Sequence, residues 1–465
     1  MTVQIALKPL ISEIRGLSPE QARSLAKAFS YEEINYYYER QGWNTRKYLL
    51  KAAGTCYQLP TGLIPKLVSL IKTPVQLTQA CPVWKKDPGC AYFSQASFTL
   101  RPYQVKAAMS LMQQKDGRLG GILQIATGGG KTRIVAKVVQ LMQVPTLYVV
   151  HTRELLHQTR NVLHELLQIP IGQIGDGAAD IQPITVATYQ SLTKQPSMTV
   201  KAFMMRTAQL IIYDEAHHVS CTTLQAISQQ THAAVSTIGL SASPWRDDGL
   251  DLLIEAVCGP VRFTISASDL IKMGYLVQPV VKIHFLNAPQ DKTPEHRSDD
   301  QNTRYWAWIS AAEERNRYIA QLAQAHPHEA VLILVKQIDH GDALAALIPG
   351  AEFLDGSKST RRRKEILERV RTGKTRVLIA TSLADEGLDL PILSVLILAG
   401  AGSSSTRALQ RLGRVLRTHP GKTTATIYDL VDAHASFRRQ FQDRQQIYRT
   451  EPSFILEKSE ITIYY

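Results

Sequence analysis

Seven consecutive residues, Ala126-Thr127-Gly128-Gly129-Gly130-Lys131-Thr132, stand between an apolar run and a helical run, with the composition of a phosphate cradle. Glycines let successive backbone N–H groups turn toward one anion, and the following helix presents the positive end of its dipole. In that frame Lys131 reaches the β and γ phosphates of a nucleoside triphosphate, and Thr132 offers its hydroxyl to Mg2+. The run departs from GxxxxGK(S/T) at one place, with Ile125 where the first glycine would stand. A glycine-rich turn without a ligand is the competing reading. Further on, Gln209-Leu210-Ile211-Ile212-Tyr213-Asp214-Glu215-Ala216-His217 is an apolar strand pattern that ends on two adjacent carboxylates. A buried strand should not finish on Asp-Glu unless a metal or a reaction uses them. Asp214 suits a Mg2+ shell, and Glu215 can orient and deprotonate an attacking water. A solvated strand end is the alternative for that pair taken alone. A third group, Gln410-Arg411-Leu412-Gly413-Arg414-Val415-Leu416-Arg417, spaces its arginines to fall on one helix face. Guanidinium groups carried by a second domain reach a γ-phosphate only when two domains close, which makes hydrolysis conditional on closure. A basic face that is merely solvated, or that touches phosphate backbone, competes with this reading.

The elements that must position these groups repeat one rhythm from Gly120 onward: a short β-branched run, a polar or glycine-rich turn, then an amphipathic helical pattern. That is the pattern of a parallel α/β sheet. Strands are expected at 120–125, 146–150, 184–188, 210–214 and 236–242, and a second set at 330–336, 376–381, 394–400 and 424–431. Two sheets imply two domains, with the break in the polar, proline-bearing stretch 287–301. The expected layout is an accessory domain at 1–93, a first α/β domain at 94–286, a linker at 287–301, and a second α/β domain at 302–465. The tail after Val431 is expected to pack on the second domain as helix plus strand. Residues 1–93 read as helical, with little strand periodicity.

The chain of 465 residues is 44% hydrophobic and 20% charged, close to the soluble globular average, and it is long enough for two or three domains. No apolar run approaches the ~20 residues that a membrane-spanning helix needs, and the start has no secretory pattern, so a cytoplasmic protein without membrane contact is expected. Lys and Arg number 53 against 40 acidic residues, a formal net charge of +13, which suits a polyanionic partner or simply a soluble surface. About half of that excess lies before residue 93. There, Tyr36, Tyr37, Tyr38, Trp43 and Tyr48 are interleaved with Arg40, Arg46 and Lys47. Such a mixture can stack on unpaired bases and neutralise phosphates, or it can be a small core that docks on the rest or holds a protein partner. The five cysteines form no CxxC pair and are odd in number, so reduced thiols are expected.

Taken together, these blocks resemble the superfamily-two helicases from about Leu100 to Val431. The resemblance implies two tandem RecA-like domains, ATP and Mg2+ as cofactors, and nucleic acid as partner. By the same resemblance Gln104 in Leu100-Arg101-Pro102-Tyr103-Gln104 reads adenine, with Arg101 beside it. Thr127, Gly128, Gly129 and Gly130 hold the phosphates with Lys131 and Thr132. His151-Thr152-Arg153-Glu154-Leu155 and Val186-Ala187-Thr188-Tyr189-Gln190 resemble loops that grip backbone phosphate through Thr152, Arg153, Thr188 and Gln190. Ser241-Ala242-Ser243 resembles a Ser-Ala-Thr coupling block, with Ser243 in place of Thr. Thr381 is implied to touch backbone phosphate, while Gly387 and Asp389 lie in the block that meets the ribose. Arg414 and Arg417 become arginine fingers, and Gln410 contacts the DEAH loop. The DEAH sequence, Ser243-Pro244-Trp245-Arg246-Asp247-Asp248-Gly249 and QRLGRVLR are most similar to the XPB and UvsW group.

The resemblance implies an ATP-driven motor on duplex, forked or branched DNA. Two alternatives stand beside it. One is an RNA helicase. The other is an ATP-dependent clamp or motor subunit of a restriction or defence assembly without unwinding of its own.

Overall fold

The computed structural model describes residues 2–32, 46–79, 84–114, 119–194, 196–216, 221–242, 251–287, 309–381, 390–400 and 412–463. The chain divides into two compact units, Met1–Ile125 with Gly130–Thr264, and Ala126–Gly129 with Ile265–Tyr465.

The first unit opens with a five-stranded sheet in the order β5-β6-β2-β1-β7. Its strands are β1 (Val3–Ala6), β2 (Ile11–Arg15), β5 (Lys51–Ala53), β6 (Cys56–Pro60) and β7 (Val75–Gln79), while β3 (Ser30–Glu32) and β4 (Arg46–Tyr48) pair separately. Helices do form here, at Pro19–Ala28 and Ile64–Leu70. The first is opened by Ser18, whose hydroxyl accepts the Gln21 N–H while the Gln21 side chain accepts the Ser18 N–H. The strands correct the helical reading of 1–93. They are too short to build a long alternation, although β1 buries Val3 and Ile5 and exposes Gln4. The sheet also shares its core with helix Asp251–Cys258, because Ala256 and Leu252 complete the cluster around Val3, Ile5, Phe29 and Leu59. Gly62 lies against that helix so closely that a Cβ would stand 2.2 Å from the Glu255 carbonyl oxygen. The amino-terminal sheet thus clusters within the first unit, where the sequence pattern points to a separate module.

The larger sheet of this unit has the order β11-β10-β12-β9-β13-β14-β8-β15. Its strands are β8 (Leu119–Ile125), β9 (Thr146–Val150), β10 (Gly172–Gly175), β11 (Ala178–Asp180), β12 (Ile184–Thr188), β13 (Leu210–Tyr213), β14 (Ser236–Ser241) and β15 (Val261–Ile265). The five strands from β12 to β8 in that order pair in parallel. Every residue of β9, β12, β13 and β14 is buried, as expected for parallel strands covered on both faces.

The second unit is built on a seven-stranded sheet, β18-β19-β17-β20-β21-β16-β22, in which every pair is parallel. The strands are β16 (Gln278–Asn287), β17 (Ala330–Val335), β18 (Glu352–Leu354), β19 (Val377–Thr381), β20 (Leu393–Leu398), β21 (Thr424–Asp432) and β22 (Ile455–Thr462). Strand β16 lies between β21 and β22, so the chain has already left the first sheet before residue 287, earlier than the polar stretch suggests. The hydrogen-bonding edge that β21 offers outweighs the break in composition. The linker expected at 287–301 lies almost wholly outside the described residues. After β21, helix Ala435–Thr450 leads into the edge strand β22. Buried Arg315 donates to both Asp432 carboxylate oxygens, at 2.8 and 3.0 Å, and to the Ala399 carbonyl. Among the described residues no helix is long and apolar enough to cross a membrane.

Candidate nucleotide and nucleic-acid site

The glycine-rich run leaves β8 at Ile125, which is fully buried as a strand residue, and enters helix Lys131–Met142. Gly128 and Gly130 adopt φ of +87° and +76°, conformations that side chains strain to reach, and Gly130 is the N-cap of the helix. A Cβ on Gly130 would stand 2.6 Å from Gln104 Nε2. Gln104 itself is buried and accepts the Arg101 N–H at 2.9 Å, so it also caps helix Pro102–Met112. Residues 126–129 cluster with the second unit. There a Cβ on Gly128 would meet Leu276 Cδ2 at 3.0 Å and Arg417 Cγ at 3.5 Å, and a Cβ on Gly413 would meet Thr127 Cβ at 2.4 Å. The Thr127 hydroxyl is buried and has no hydrogen-bond partner among the described residues.

At the end of β13, Asp214 is buried while Glu215 bends out with φ +44°, a left-handed conformation costing ~1–2 kcal/mol for a residue with a side chain. Lys131 Nζ donates to Glu215 Oε1 at 2.6 Å. Asp214 accepts twice, from Tyr148 Oη at 3.0 Å and from the Glu215 N–H at 3.0 Å. Burial raises the Asp214 pKa, the Glu215 carboxylate adds to the rise, and Lys131 and the Tyr148 hydrogen bond pull the other way. Within the first unit, therefore, Lys131, Glu215, Asp214 and Tyr148 form one connected group. The residues fit a triphosphate with a hard divalent cation. Gly130, left-handed and without a side chain, leaves the backbone bare ahead of the helix, and Thr132 and Asp214 supply oxygen donors of the kind Mg2+ takes. Thr132 and Asp214 would hold the ion, which supplies charge neutralisation at the phosphates when bound. Tyr148 is a residue that motif reading misses. Its signal is one phenol in the otherwise aliphatic run of TLYVV.

The expected backbone-gripping residues of the first unit converge at the ends of β9 and β12. Thr152 is the N-cap of helix Arg153–Leu167, accepting the Leu155 N–H at 3.2 Å, so its hydroxyl already has a structural task. Gln190 Nε2 donates to the His151 carbonyl at 3.3 Å, and Thr188 shares a 2.9 Å hydrogen bond with Ser191. Arg153 projects into solvent, 75% exposed, with Asp176 3.5 Å away. In the second unit Thr381 ends β19 with a buried hydroxyl that has no hydrogen-bond partner among the described residues. Gln410, Gly387 and Asp389 lie outside the described residues, as do Ser243 and His217.

The arginine segment departs from the expected single helix face. Among the described residues of this segment, helix covers 412–415 and ends before Arg417. Arg417 stands beyond it, in a β-bridge with Leu276, and the Val277 N–H donates to the Leu416 carbonyl. The isolated bridge to Leu276, just ahead of β16, captures the chain before another helical turn can form, so Arg414 and Arg417 lie in different local structures. Lys422, which sequence reading also misses, donates to the carbonyls of Pro391, Leu393 and Val415 and so ties this segment to the start of β20. Burial, then the charge of Arg417, lowers its pKa to about 8.

Residues 97–246 match the family model described as Type III restriction enzyme, res subunit, and residues 314–419 match the helicase conserved C-terminal domain. The DNA 3'-5' translocase XPB2 of Sulfurisphaera tokodaii is 28% identical over 357 residues, covering 68% of this chain and 78% of that protein. The ATP-dependent DNA helicase uvsW of Enterobacteria phage T4 is 26% identical over 347 residues, covering 69% of this chain and 68% of its own. The chain belongs to the superfamily-two helicases, in the group that contains XPB and UvsW. Among solved structures, S. cerevisiae Dbp5 bound to RNA and ADP BeF3 has a TM-score of 0.55 at 14% identity over 81% of this chain and 94% of that one. That likeness bears on the fold alone, and the fold is the tandem RecA-like one: two sheets of mainly parallel strands, each with the helices that join its strands. The glycine-rich run follows the end of β8 and the adjacent carboxylates Asp214 and Glu215 follow the end of β13, next but one in the same sheet.

Proposed function

We propose that this helicase is an ATP-dependent motor that translocates on or remodels duplex or branched DNA. The observation that carries this reading is the 2.6 Å pair between Lys131 and Glu215, beside buried Asp214. The cation for the transferred phosphoryl group and the base for the attacking water stand at one point at the carboxyl ends of two parallel strands, where α/β folds bind their ligands. In this reading Lys131 leaves Glu215 for the triphosphate, and Glu215 orients and deprotonates water. Arg414 and Arg417 stabilise the developing charge. Thr188, Gln190, Arg153 and Thr381 hold backbone rather than bases, so binding is salt-dependent and indifferent to sequence. DNA is favoured as the track because the relatives named XPB2 and uvsW carry DNA in their names. The match of residues 97–246 to a restriction-subunit model supports a second reading, a motor that works within a larger assembly.

The test is the ATPase rate of the full chain with single-stranded, duplex, forked and four-way DNA and with RNA. The proposal expects stimulation by DNA, greatest with duplex or branched forms. Stimulation by RNA alone overturns the choice of track. An ATPase indifferent to every nucleic acid overturns the motor and leaves the assembly reading.

A further inference from the structure

Strand β9 runs between β12 and β13, with Tyr148 opposite Val186 on one side and Ile212 on the other. Its side chain is fully buried. A phenol in such a place costs free energy unless its hydroxyl is satisfied, and phenylalanine would fill the same space without that cost. The hydroxyl is satisfied at the end of β13, where it donates to Asp214 Oδ2 at 3.0 Å. The carboxylate also accepts the Glu215 N–H and retains acceptor capacity beyond these two bonds.

We infer that Tyr148 is a positioning residue for the divalent-cation site, fixing the Asp214 carboxylate in the orientation an octahedral oxygen shell requires. The inference rests on the nucleotide reading above. Partners that orient metal ligands contribute about 10–100-fold to metal affinity, and Tyr148→Phe removes this one while keeping the ring.

A fluorescent ATP analogue is titrated against the full chain and the Tyr148→Phe variant, in Mg2+ and in EDTA, with Mn2+ binding followed by electron paramagnetic resonance. The variant should match the parent in EDTA, lose roughly tenfold of the gain in nucleotide affinity that Mg2+ confers, and bind Mn2+ about tenfold more weakly. Added to Asp214→Asn, the same change should have no further effect, since Tyr148 acts through that carboxylate. Superimposable Mg2+ curves for parent and variant overturn the inference. So does an equal loss of affinity in Mg2+ and in EDTA accompanied by a lower melting temperature, which marks packing alone. A parent that binds the analogue equally with and without Mg2+ overturns the nucleotide reading itself, and that result is seen before any variant is compared.

Discussion

Replacing Glu215 by Gln should move binding and turnover in opposite directions. Without nucleotide, Lys131 is held by Glu215 at 2.6 Å in surroundings where the two side chains are 13% and 16% exposed. A hydrogen bond to a charged group in such a place is worth about 1.5–3 kcal/mol net. A triphosphate must take Lys131 away from that partner. Gln keeps an oxygen acceptor and loses the charge, so on the order of 1 kcal/mol of competition disappears and nucleotide should bind ~5-fold tighter. Its Cβ is placed as before, so the φ of +44° and its strain are unchanged. Turnover should fall about 10²–10⁴-fold, because the amide cannot accept a proton from water. Equilibrium titration with a non-hydrolysable ATP analogue and steady-state phosphate release measure the two effects. Parental turnover would show that Glu215 is not the base. Weakened nucleotide binding would show that the Lys131–Glu215 pair does not compete with phosphate.

Arg414→Ala and Arg417→Ala should each cost ~10³-fold in single-turnover hydrolysis. Only Arg417→Ala should also lower the melting temperature, since Arg417 has a buried Nε and stands in the bridge with Leu276. Gly413→Ala places a methyl 2.4 Å from Thr127 Cβ and should reduce ATPase at least tenfold while costing about 1–3 kcal/mol in a denaturant titration; full activity would contradict that packing. His340, buried and bonded to Asn316, has its pKa lowered to about 3 by burial and by Arg315. Unfolded chain takes up a proton there below about pH 6.5 and folded chain does not. Stability is therefore complete above that pH and is lost as pH falls toward 3, by roughly 1.4 kcal/mol at pH 5.5. His340→Leu should flatten the pH dependence of the melt by that amount, and an unchanged slope would contradict the assignment.

Much of the fold is legible because parallel strands covered on both faces announce themselves as apolar runs. LIIY, ITVAT and AVLILV are such runs, and each forms its strand. The glycine-rich turn is equally legible, because left-handed backbone at Gly128 and Gly130 demands glycine. Other features depend on long-range partners that a local pattern does not carry. QPVVKIHFLN joins the second sheet because β21 and β22 offer it edges, whatever the composition of the stretch after it. The amino-terminal strands are too short to show a period, and their core is completed by Ala256 from far along the chain. The spacing of Arg414 and Arg417 promises a helix, but pairing of Arg417 with Leu276 ends it. Tyr148 carries no motif, and only its contact with Asp214 gives it meaning. The motifs propose Thr152 and Gln104 as site residues, while their tasks as helix caps are visible only from their three-dimensional neighbours.

The central claim is that ATP hydrolysis at Lys131, Asp214 and Glu215 drives movement along DNA. The most direct measurement is displacement of a triplex-forming strand from duplex DNA by the full chain, with ATP, with a non-hydrolysable analogue, and with Lys131→Ala. The account predicts displacement with ATP alone, and only by the chain that retains Lys131. Displacement that proceeds equally with the analogue, or with Lys131→Ala, would contradict it, as would brisk DNA-stimulated hydrolysis by a chain that moves no strand.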